Sequence, residues 1–328
     1  MRFAKRLATG DAVVNERTAT LLVVVSGVSA ASIAFFARSL TDAGLAAGAV
    51  VFFRFAATVV VTGRSVSLTT NKRTASAWAF FAGLAVGLGW VTYVLAIERL
   101  DVATVGAIYM TYPAFALVAS WLISRVRPAA RGLLGAVLVV TGALIAIGPS
   151  DTEFGGWIVL IAFAAPVSFG FVVAVLSERV HVLQPVERIA ATSLGAFVGL
   201  IPVIAVQPLD AVIPSDGRTW LLVVGIGLLT SLLPMGCFVL GAPVVGSARA
   251  AVAGGVELPS VFVIAWALLG QPPTITLLVG GAIIVAAVTV SPTRPPPIAI
   301  ARPRPRRSLR RKTRDSDPRH DNTASSTS

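Results

Sequence analysis

Apolar runs of 18 or more residues follow one another along most of this 328-residue chain. A helix of about 20 such residues crosses the hydrocarbon core of a bilayer, which is about 30 Å thick. Charged residues make up 13% of the chain and hydrophobic residues 55%, whereas soluble domains carry about 25% charged residues. The sequence therefore predicts an all-α integral membrane protein that crosses the bilayer several times.

Ten apolar spans can be placed along the chain, and they define its expected organisation. We expect a polar N-terminal segment over 1–18, five helices over 19–150, five more over 151–291, and a basic tail over 292–328. The spans are 19–37, 45–62, 76–97, 102–123, 131–148, 156–176, 188–206, 219–241, 248–269 and 274–291. The tail is rich in Pro, Arg and Ser and is predicted to be disordered.

Lysine and arginine residues are distributed unequally between the loops on the two sides of the membrane. Before the tail, thirteen fall on the side of the N-terminus and three (Arg38, Arg99 and Arg218) on the other. Cytoplasmic loops carry the excess of positive charge. We therefore predict a multi-pass protein of the cell membrane with both termini in the cytoplasm. The tail is expected to contact anionic lipid headgroups rather than nucleic acid.

The two halves of the chain resemble each other at an offset of about 145 residues. Trp121 and Trp266, Pro128 and Pro273, and Gly135 and Gly280 all match at 145. Because this offset covers five helices, an odd number, the second copy is expected to insert upside down. Two inverted five-helix repeats are the plan of many secondary transporters, whose substrate site lies near the membrane midplane.

Glu257 is the one acidic residue placed deep in a predicted span, within the sequence AGGVELPSVFVIAW. A carboxylate in hydrocarbon is costly and usually faces a cavity or another helix. Glu257 could take up and release a proton or bind a cationic substrate. It could instead be a fixed structural partner of Arg54 or of another buried donor.

Arg54 lies in the middle of the second predicted span, in VVFFRFAATVV. Its guanidinium could bind a substrate carboxylate through two parallel hydrogen bonds. Alternatively, it could extend toward the membrane surface or donate to backbone carbonyls and so hold helix ends together.

Aromatic residues with a polar group are concentrated in the third and fourth predicted spans. All three tyrosines, Tyr93, Tyr109 and Tyr112, are found there, close to Trp90. Such side chains line many ligand cavities, because the ring packs while the polar atom orients the ligand. Aromatic side chains of membrane helices also simply pack, so the cavity is one of two interpretations.

Four prolines, Pro113, Pro166, Pro234 and Pro259, are predicted to interrupt spans. Each removes a helix hydrogen bond and leaves a carbonyl free. Pro113 and Pro259 match each other between the two halves at an offset of 146, and paired interrupted segments point to a binding site. The motifs Gly83-xxx-Gly87 and Gly195-xxx-Gly199 predict close helix packing.

Several of these segments resemble the EamA-like branch of the drug/metabolite transporter superfamily. They are FFRF in the second span, GLAVGLGWVTYVLAIERLDVATVGAI across the third and fourth, and VELPSVFVIAWALLGQ in the ninth. The resemblance covers about residues 20–291 and implies export of a small metabolite or drug-like solute, coupled to protons. Three details depart from the family pattern: Arg125 and Gln271 stand where Glu is usual after the fourth and ninth spans, and Leu258 separates Glu257 from Pro259.

The leading hypothesis is thus a secondary transporter working by alternating access, with substrate-binding or coupling residues at Glu257, Arg54, Trp90, Tyr93, Tyr109, Tyr112, Pro113 and Pro259. The alternatives are a membrane scaffold or receptor that uses its basic tail, and a lipid-carrier flippase. The expected partners are a small-molecule substrate and anionic lipids, with a homodimer left open. No enzyme motif, cofactor or metal is expected, since the chain has no P-loop, a single Cys237 and two isolated histidines.

Overall fold

The computed structural model describes residues 15–147, 156–245, 253 and 255–290. Most of the predicted N-terminal segment, the basic tail over 292–328 and Gly254 lie outside the described residues. In the described part of the chain every regular element is a helix.

Fifteen helices, α1 to α15, are described, together with one 3-10 turn and one π-helical turn. In chain order the helices are Glu16–Ala31, Ile33–Asp42, Ala47–Thr62, Arg73–Ile97, Val102–Tyr109, Tyr112–Ser124, Ala130–Ala146, Gly156–Ala162, Ala164–Glu178, Pro185–Ala205, Leu209–Val212, Gly217–Gly227, Leu233–Val245, Glu257–Leu269 and Ile275–Val290. The 3-10 turn is Gly63–Ser65 and the π-helical turn is Leu228–Leu232.

Consecutive helices combine into longer segments, several of which are long and apolar enough to cross a membrane. By length and composition, seven can cross a membrane: Glu16–Asp42, Ala47–Ser65, Arg73–Ile97, Val102–Ser124, Gly156–Glu178, Pro185–Ala205 and Gly217–Ala242. Three shorter apolar helices are Ala130–Ala146, Glu257–Leu269 and Ile275–Ala287. These segments overlap the ten predicted spans. A multi-pass helical membrane protein is therefore confirmed, while ten crossings as two inverted repeats remain a prediction.

The predicted interruptions at four prolines are confirmed among these segments. Pro113, Pro166, Pro234 and Pro259 are the second or third residues of α6, α9, α13 and α14, each just after a break or a π-helical turn. The first turn of a helix tolerates proline because its N–H groups have no intrahelical acceptor. Pro202, by contrast, lies inside the continuous helix α10.

The two glycine motifs pack directly against each other and join α4 to α10. A Cβ atom at Gly83 would overlap the backbone carbonyl of Thr192, and one at Gly195 would overlap that of Phe80. A Cβ atom at Gly87 would lie 2.9 Å from Cα of Ala196. The predicted close packing of the two glycine motifs is confirmed.

Helix α5 is the most enclosed element that the structure describes. All eight of its residues, from Val102 to Tyr109, are buried. Its N-terminus receives a side chain from the far half of the chain, because Gln271 Oε1 accepts a hydrogen bond from the Val102 N–H at 3.0 Å. Gln271, which departs from the family pattern, is therefore a neutral cap on this buried helix.

Candidate functional site

The candidate site is built on a cluster of aromatic side chains in the buried core. Trp90 and Tyr93 lie one turn apart on α4, with ring centroids 4.9 Å apart. Tyr109, the last residue of α5, packs 5.0 Å from Trp90 and 5.7 Å from Tyr93. All three side chains are buried. The structure therefore brings three of the predicted aromatic residues together.

The cluster continues toward a side that is less enclosed. Tyr112, the first residue of α6, lies 5.7 Å from Tyr109 between ring centroids. Phe169 on α9 lies 5.6 Å from Tyr109 and 4.9 Å from Tyr112. Tyr112 and Phe169 are only half-buried. The sequence does not predict Phe169 as a site residue, since its contact depends on α9 packing against α6, which no local pattern indicates.

Arg54 projects from α3 onto this cluster. The carbon of its guanidinium lies 4.1 Å from the centroid of the Trp90 ring and 5.6 Å from that of Phe55. A guanidinium over an indole face is stabilised by the ring quadrupole, more strongly when water is excluded. The side chain thus extends into the protein interior.

One nitrogen of Arg54 has a backbone acceptor. Nη2 donates to the carbonyl of Thr230 at 3.4 Å, in the π-helical turn that precedes Pro234. In a regular α-helix the Thr230 carbonyl would accept from residue 234, where proline has no N–H. The Nε and Nη1 atoms of Arg54 are buried and have no acceptor among the described residues.

Glu257 is the first residue of α14, directly after the turn that interrupts this span. It interacts electrostatically with Arg54, Tyr93, Tyr109 and Tyr112. The site therefore contains one acidic and one basic side chain within an aromatic cluster. Such a pair can bind an ionic group or exchange a proton, because charges interact strongly where water is excluded.

The N-terminal ends of two helices lie at the site, and each has one of the predicted prolines in its first turn. Tyr112 and Glu257 begin α6 and α14, and neither helix has a side-chain cap at its N-terminus. The N–H groups of a first turn carry partial positive charge. Pro113 is half-buried next to Tyr112, whereas the Pro259 side chain is exposed. Pro259 therefore shapes the site through the break rather than by contact.

A second polar region lies just beyond the C-terminal end of α4, in a cavity of about 360 Å³ lined by Arg38, Asp42, Glu98 and Arg99 among others. Arg38 forms an ion pair with Asp42 at 3.1 Å and donates to the carbonyl of Ile97 at 2.7 Å. Burial raises the pKa of Glu98 above its usual value of 4.5. No pattern in the sequence predicts a site at this turn.

Within the part of the chain that is described, no cluster of three or more His, Cys, Asp or Glu side chains could hold a metal ion. The functional groups of the candidate site are those of Arg54, Glu257 and the aromatic cluster.

These features define a class: a multi-pass helical membrane protein with a charged and aromatic site at two interrupted helices. The chain belongs to the EamA-like transporter family, whose model matches residues 17–148 and 156–291. It is thus a member of a family of membrane transporters, and the resemblance noted in the sequence is confirmed.

Two relatives show how far the similarity extends. An uncharacterized transporter of Archaeoglobus fulgidus is 25% identical over 271 residues, which cover 82% of this chain and 94% of that protein. A crystal structure described only as that of a protein is similar with a TM-score of 0.54 and 17% identity, covering 84% of this chain and 98% of the other. At that identity the second similarity concerns the fold alone.

Proposed function

We propose that this protein is a secondary active transporter that exports a small metabolite or drug-like solute by alternating access, with proton coupling at Glu257. The observation that carries the proposal is the placement of Arg54, Glu257 and the aromatic cluster at two interrupted helices. Secondary transporters bind their substrates at such broken helices, and ionisable residues inside the membrane mark substrate and proton pathways.

Ten crossings in two inverted repeats are part of this proposal, and three observations support them. The family model matches two consecutive ranges of similar length. The helix starts at Tyr112 and Glu257 are 145 residues apart, the offset found in the sequence. Arg125 and Gly270, also 145 residues apart, both end their helices with positive φ, at 61° and 68°. Corresponding helices thus begin and end at corresponding positions.

In this mechanism the solute binds between the repeats while one side of the membrane is closed to it. Glu257 releases its proton on one side and is reprotonated on the other, so the proton gradient drives the cycle. Trp90, Tyr93, Tyr109 and Tyr112 shape the solute site. We further propose that the protein lies in the plasma membrane, with both termini in the cytoplasm as the charge distribution of the loops predicts.

The test compares small molecules in the medium of cells that express wild type, Glu257→Gln or no protein. We expect wild type alone to export a solute, because a glutamine side chain keeps the shape of glutamate but cannot take up and release a proton. Asp210→Asn is the matched control, since Asp210 is an exposed acid on α11. Normal, pH-dependent export by folded Glu257→Gln would contradict the role of Glu257 in proton coupling. The proposal that the protein is a transporter would still stand.

The scaffold alternative is distinguished in the same assay by a chain that ends after residue 291. A transporter formed by the helices keeps its export without the tail, whereas a scaffold that recruits a partner through the tail loses its function. Loss of function in a membrane-inserted variant without residues 292–328, together with full function of Glu257→Gln, would favour the scaffold.

A further inference from the structure

The polar cavity beyond the end of α4 is separate from the central site and has charged groups of its own. Its volume of about 360 Å³ lies in the range of sites for small molecules. Four of its lining residues are charged: Arg38, Asp42, Glu98 and Arg99. Arg38 pairs with Asp42 at 3.1 Å and donates to the carbonyl of Ile97 at 2.7 Å. These two residues therefore satisfy each other, and Glu98 and Arg99 are the charged groups that a ligand can engage.

The side chains of Glu98 and Arg99 have bonding capacity in reserve. Within the described part of the chain, neither side chain forms a hydrogen bond or an ion pair. Glu98 is half-buried, and burial raises the pKa of its carboxyl although Arg99 and Arg38 oppose the rise. A carboxylate that has lost part of its hydration gains most from a new donor. A ligand that carries both a cationic donor and an anionic group would satisfy Glu98 and Arg99 together.

A row of exposed apolar side chains on α4 leads to Arg99. Phe81, Leu88 and Leu95 are exposed by 63%, 40% and 38%. They lie eighteen, eleven and four residues before Arg99, which are close to whole numbers of helical turns, so the row and Arg99 share one face. In a membrane this face contacts acyl chains, and Arg99, at the end of the span, lies at the level of the phospholipid headgroups. The molecule that reaches the cavity along α4 is therefore a phospholipid.

We infer that this cavity binds the headgroup of an ethanolamine phospholipid, with the phosphate at Arg99 and the ammonium at Glu98. The acyl chains lie along the row of Phe81, Leu88 and Leu95. Neither this lipid nor the set of four charged residues that line the cavity has a net charge, so the complex contains no uncompensated charge. Binding at this cavity does not depend on transport through the central site.

The lining of the cavity favours ethanolamine over the other common headgroups. A primary ammonium has three N–H donors, which form charge-assisted hydrogen bonds with a carboxylate. The trimethylammonium of phosphatidylcholine has the same charge but no N–H donor, and such groups are recognised by aromatic side chains. None of the residues that line this cavity is aromatic. Phosphatidylglycerol has the phosphate and no cation. A comparison of these three lipids therefore isolates the contribution of the ammonium.

Native mass spectrometry of the purified, delipidated full-length protein at pH 7.5 tests the site. Phosphatidylethanolamine, phosphatidylcholine and phosphatidylglycerol with the same acyl chains are titrated separately, and the dissociation constant of the first bound lipid is measured. We expect phosphatidylethanolamine to bind at least about fivefold more tightly than either of the others, because only its headgroup can form charge-assisted hydrogen bonds with Glu98.

Two variants give different results if the inference is right. Glu98→Gln should reduce the preference for phosphatidylethanolamine over phosphatidylcholine to less than about twofold, because the glutamine side chain is neutral. Arg99→Gln should weaken the binding of both lipids and keep the preference, because both carry the phosphate. Arg218→Gln is the matched control, since Arg218 is an exposed arginine of another loop on the same predicted side. Thermal unfolding shows whether each variant is folded; if Glu98→Gln is not, Glu98→Ala replaces it.

Three results would overturn the inference. Equal binding of phosphatidylethanolamine and phosphatidylcholine to wild type would exclude recognition of the ammonium. An unchanged preference in folded Glu98→Gln would place the lipid elsewhere on the surface. Binding of free phosphoethanolamine with the affinity of the lipid would assign the cavity to a soluble ligand. None of these results bears on export, which the comparison of wild type with Glu257→Gln measures separately.

Discussion

The Arg54 side chain packs against neighbouring helices, and it still has nitrogen atoms without an acceptor among the described residues, to which a ligand could bind. Its stacking on Trp90 and its donation to the Thr230 carbonyl hold α3 against α4 and the π-helical turn. From the sequence, carboxylate binding, carbonyl binding and extension toward the membrane surface are alternatives. The sequence does not decide among them, because the choice depends on where Pro234 places a free carbonyl in a distant helix.

Arg125 carries a backbone strain that a single substitution should relieve. It ends α6 with φ at 61°, a conformation that suits glycine, and Gly270 occupies the corresponding position after α14. We expect Arg125→Gly to raise stability by about 0.5–1 kcal/mol, because a side chain in the left-handed region costs about 1–2 kcal/mol while glycine gains entropy on unfolding. Thermal unfolding of the purified protein measures the change.

Arg125→Ala is the matched control for this prediction. It removes the same exposed positive charge but keeps a Cβ atom, so the strain of the left-handed conformation persists. Equal stabilisation by alanine and glycine would show that charge, and not backbone conformation, was responsible.

Glu98 predicts a dependence of stability on pH. Its raised pKa, caused mainly by burial and opposed by Arg99 and Arg38, means that the folded protein holds this proton more tightly than the unfolded chain. The stabilising contribution is complete below the ordinary pKa of 4.5 and is lost as pH rises through the folded-state pKa. Glu98→Gln should therefore unfold at a higher temperature than wild type at pH 7.5.

The same comparison at pH 4.5 should show little difference between Glu98→Gln and wild type. Asp210→Asn corrects for the removal of one acidic residue from an exposed position. A Glu98→Gln protein that is less stable than wild type at pH 7.5 would mean that attraction to Arg38 and Arg99 outweighs the burial of Glu98.

At the scale of helices, the contact between α4 and α10 leaves no room for a side chain at Gly83. A Cβ atom there would overlap the Thr192 carbonyl, which is backbone and cannot rotate away. We expect Gly83→Ala to destabilise the protein by about 1–3 kcal/mol, the usual range for forcing extra volume into a packed core. Thermal unfolding and yield in the membrane measure this.

Gly132→Ala is the control for that substitution. Gly132 lies in α7, and a Cβ atom there would be 3.5 Å from Leu117, an ordinary contact. Alanine has the higher helix propensity, so this variant should be at least as stable as wild type. A comparable loss in both variants would contradict the specific role of the α4–α10 contact.

Helix-scale features divide clearly into those that the sequence predicts and those that it does not. Proline breaks and glycine contacts can be predicted because they follow from the chemistry of one residue type. The contact of Phe169 with Tyr112 and the cap that Gln271 provides for Val102 cannot, since each joins residues at least 57 positions apart. Such contacts are decided by tertiary packing, which periodicity does not encode.

At the scale of the whole molecule, the sequence predicts the class through two averaged properties. Hydropathy summed over a span indicates a membrane helix, and positive charge summed over loops indicates its orientation. Both tolerate local errors, which is why the spans overlap the observed helices although individual ends differ. The site depends instead on the positions of a few atoms, and only its residue types could be predicted.

The orientation can be tested by labelling single cysteines in a Cys237→Ala background. Thr70 and Ser215 are exposed residues of loops at opposite ends of the spans, and the loop charges place Thr70 in the cytoplasm. In intact cells a membrane-impermeant maleimide should therefore label Ser215→Cys and not Thr70→Cys. Both should react after permeabilisation, which controls for local accessibility. The reverse labelling pattern would mean that the protein has the opposite orientation, with the cavity at Arg38 and Glu98 on the cytoplasmic side. Labelling of both cysteines in intact cells would mean that the chain inserts in two orientations, so loop charge alone would not set its topology.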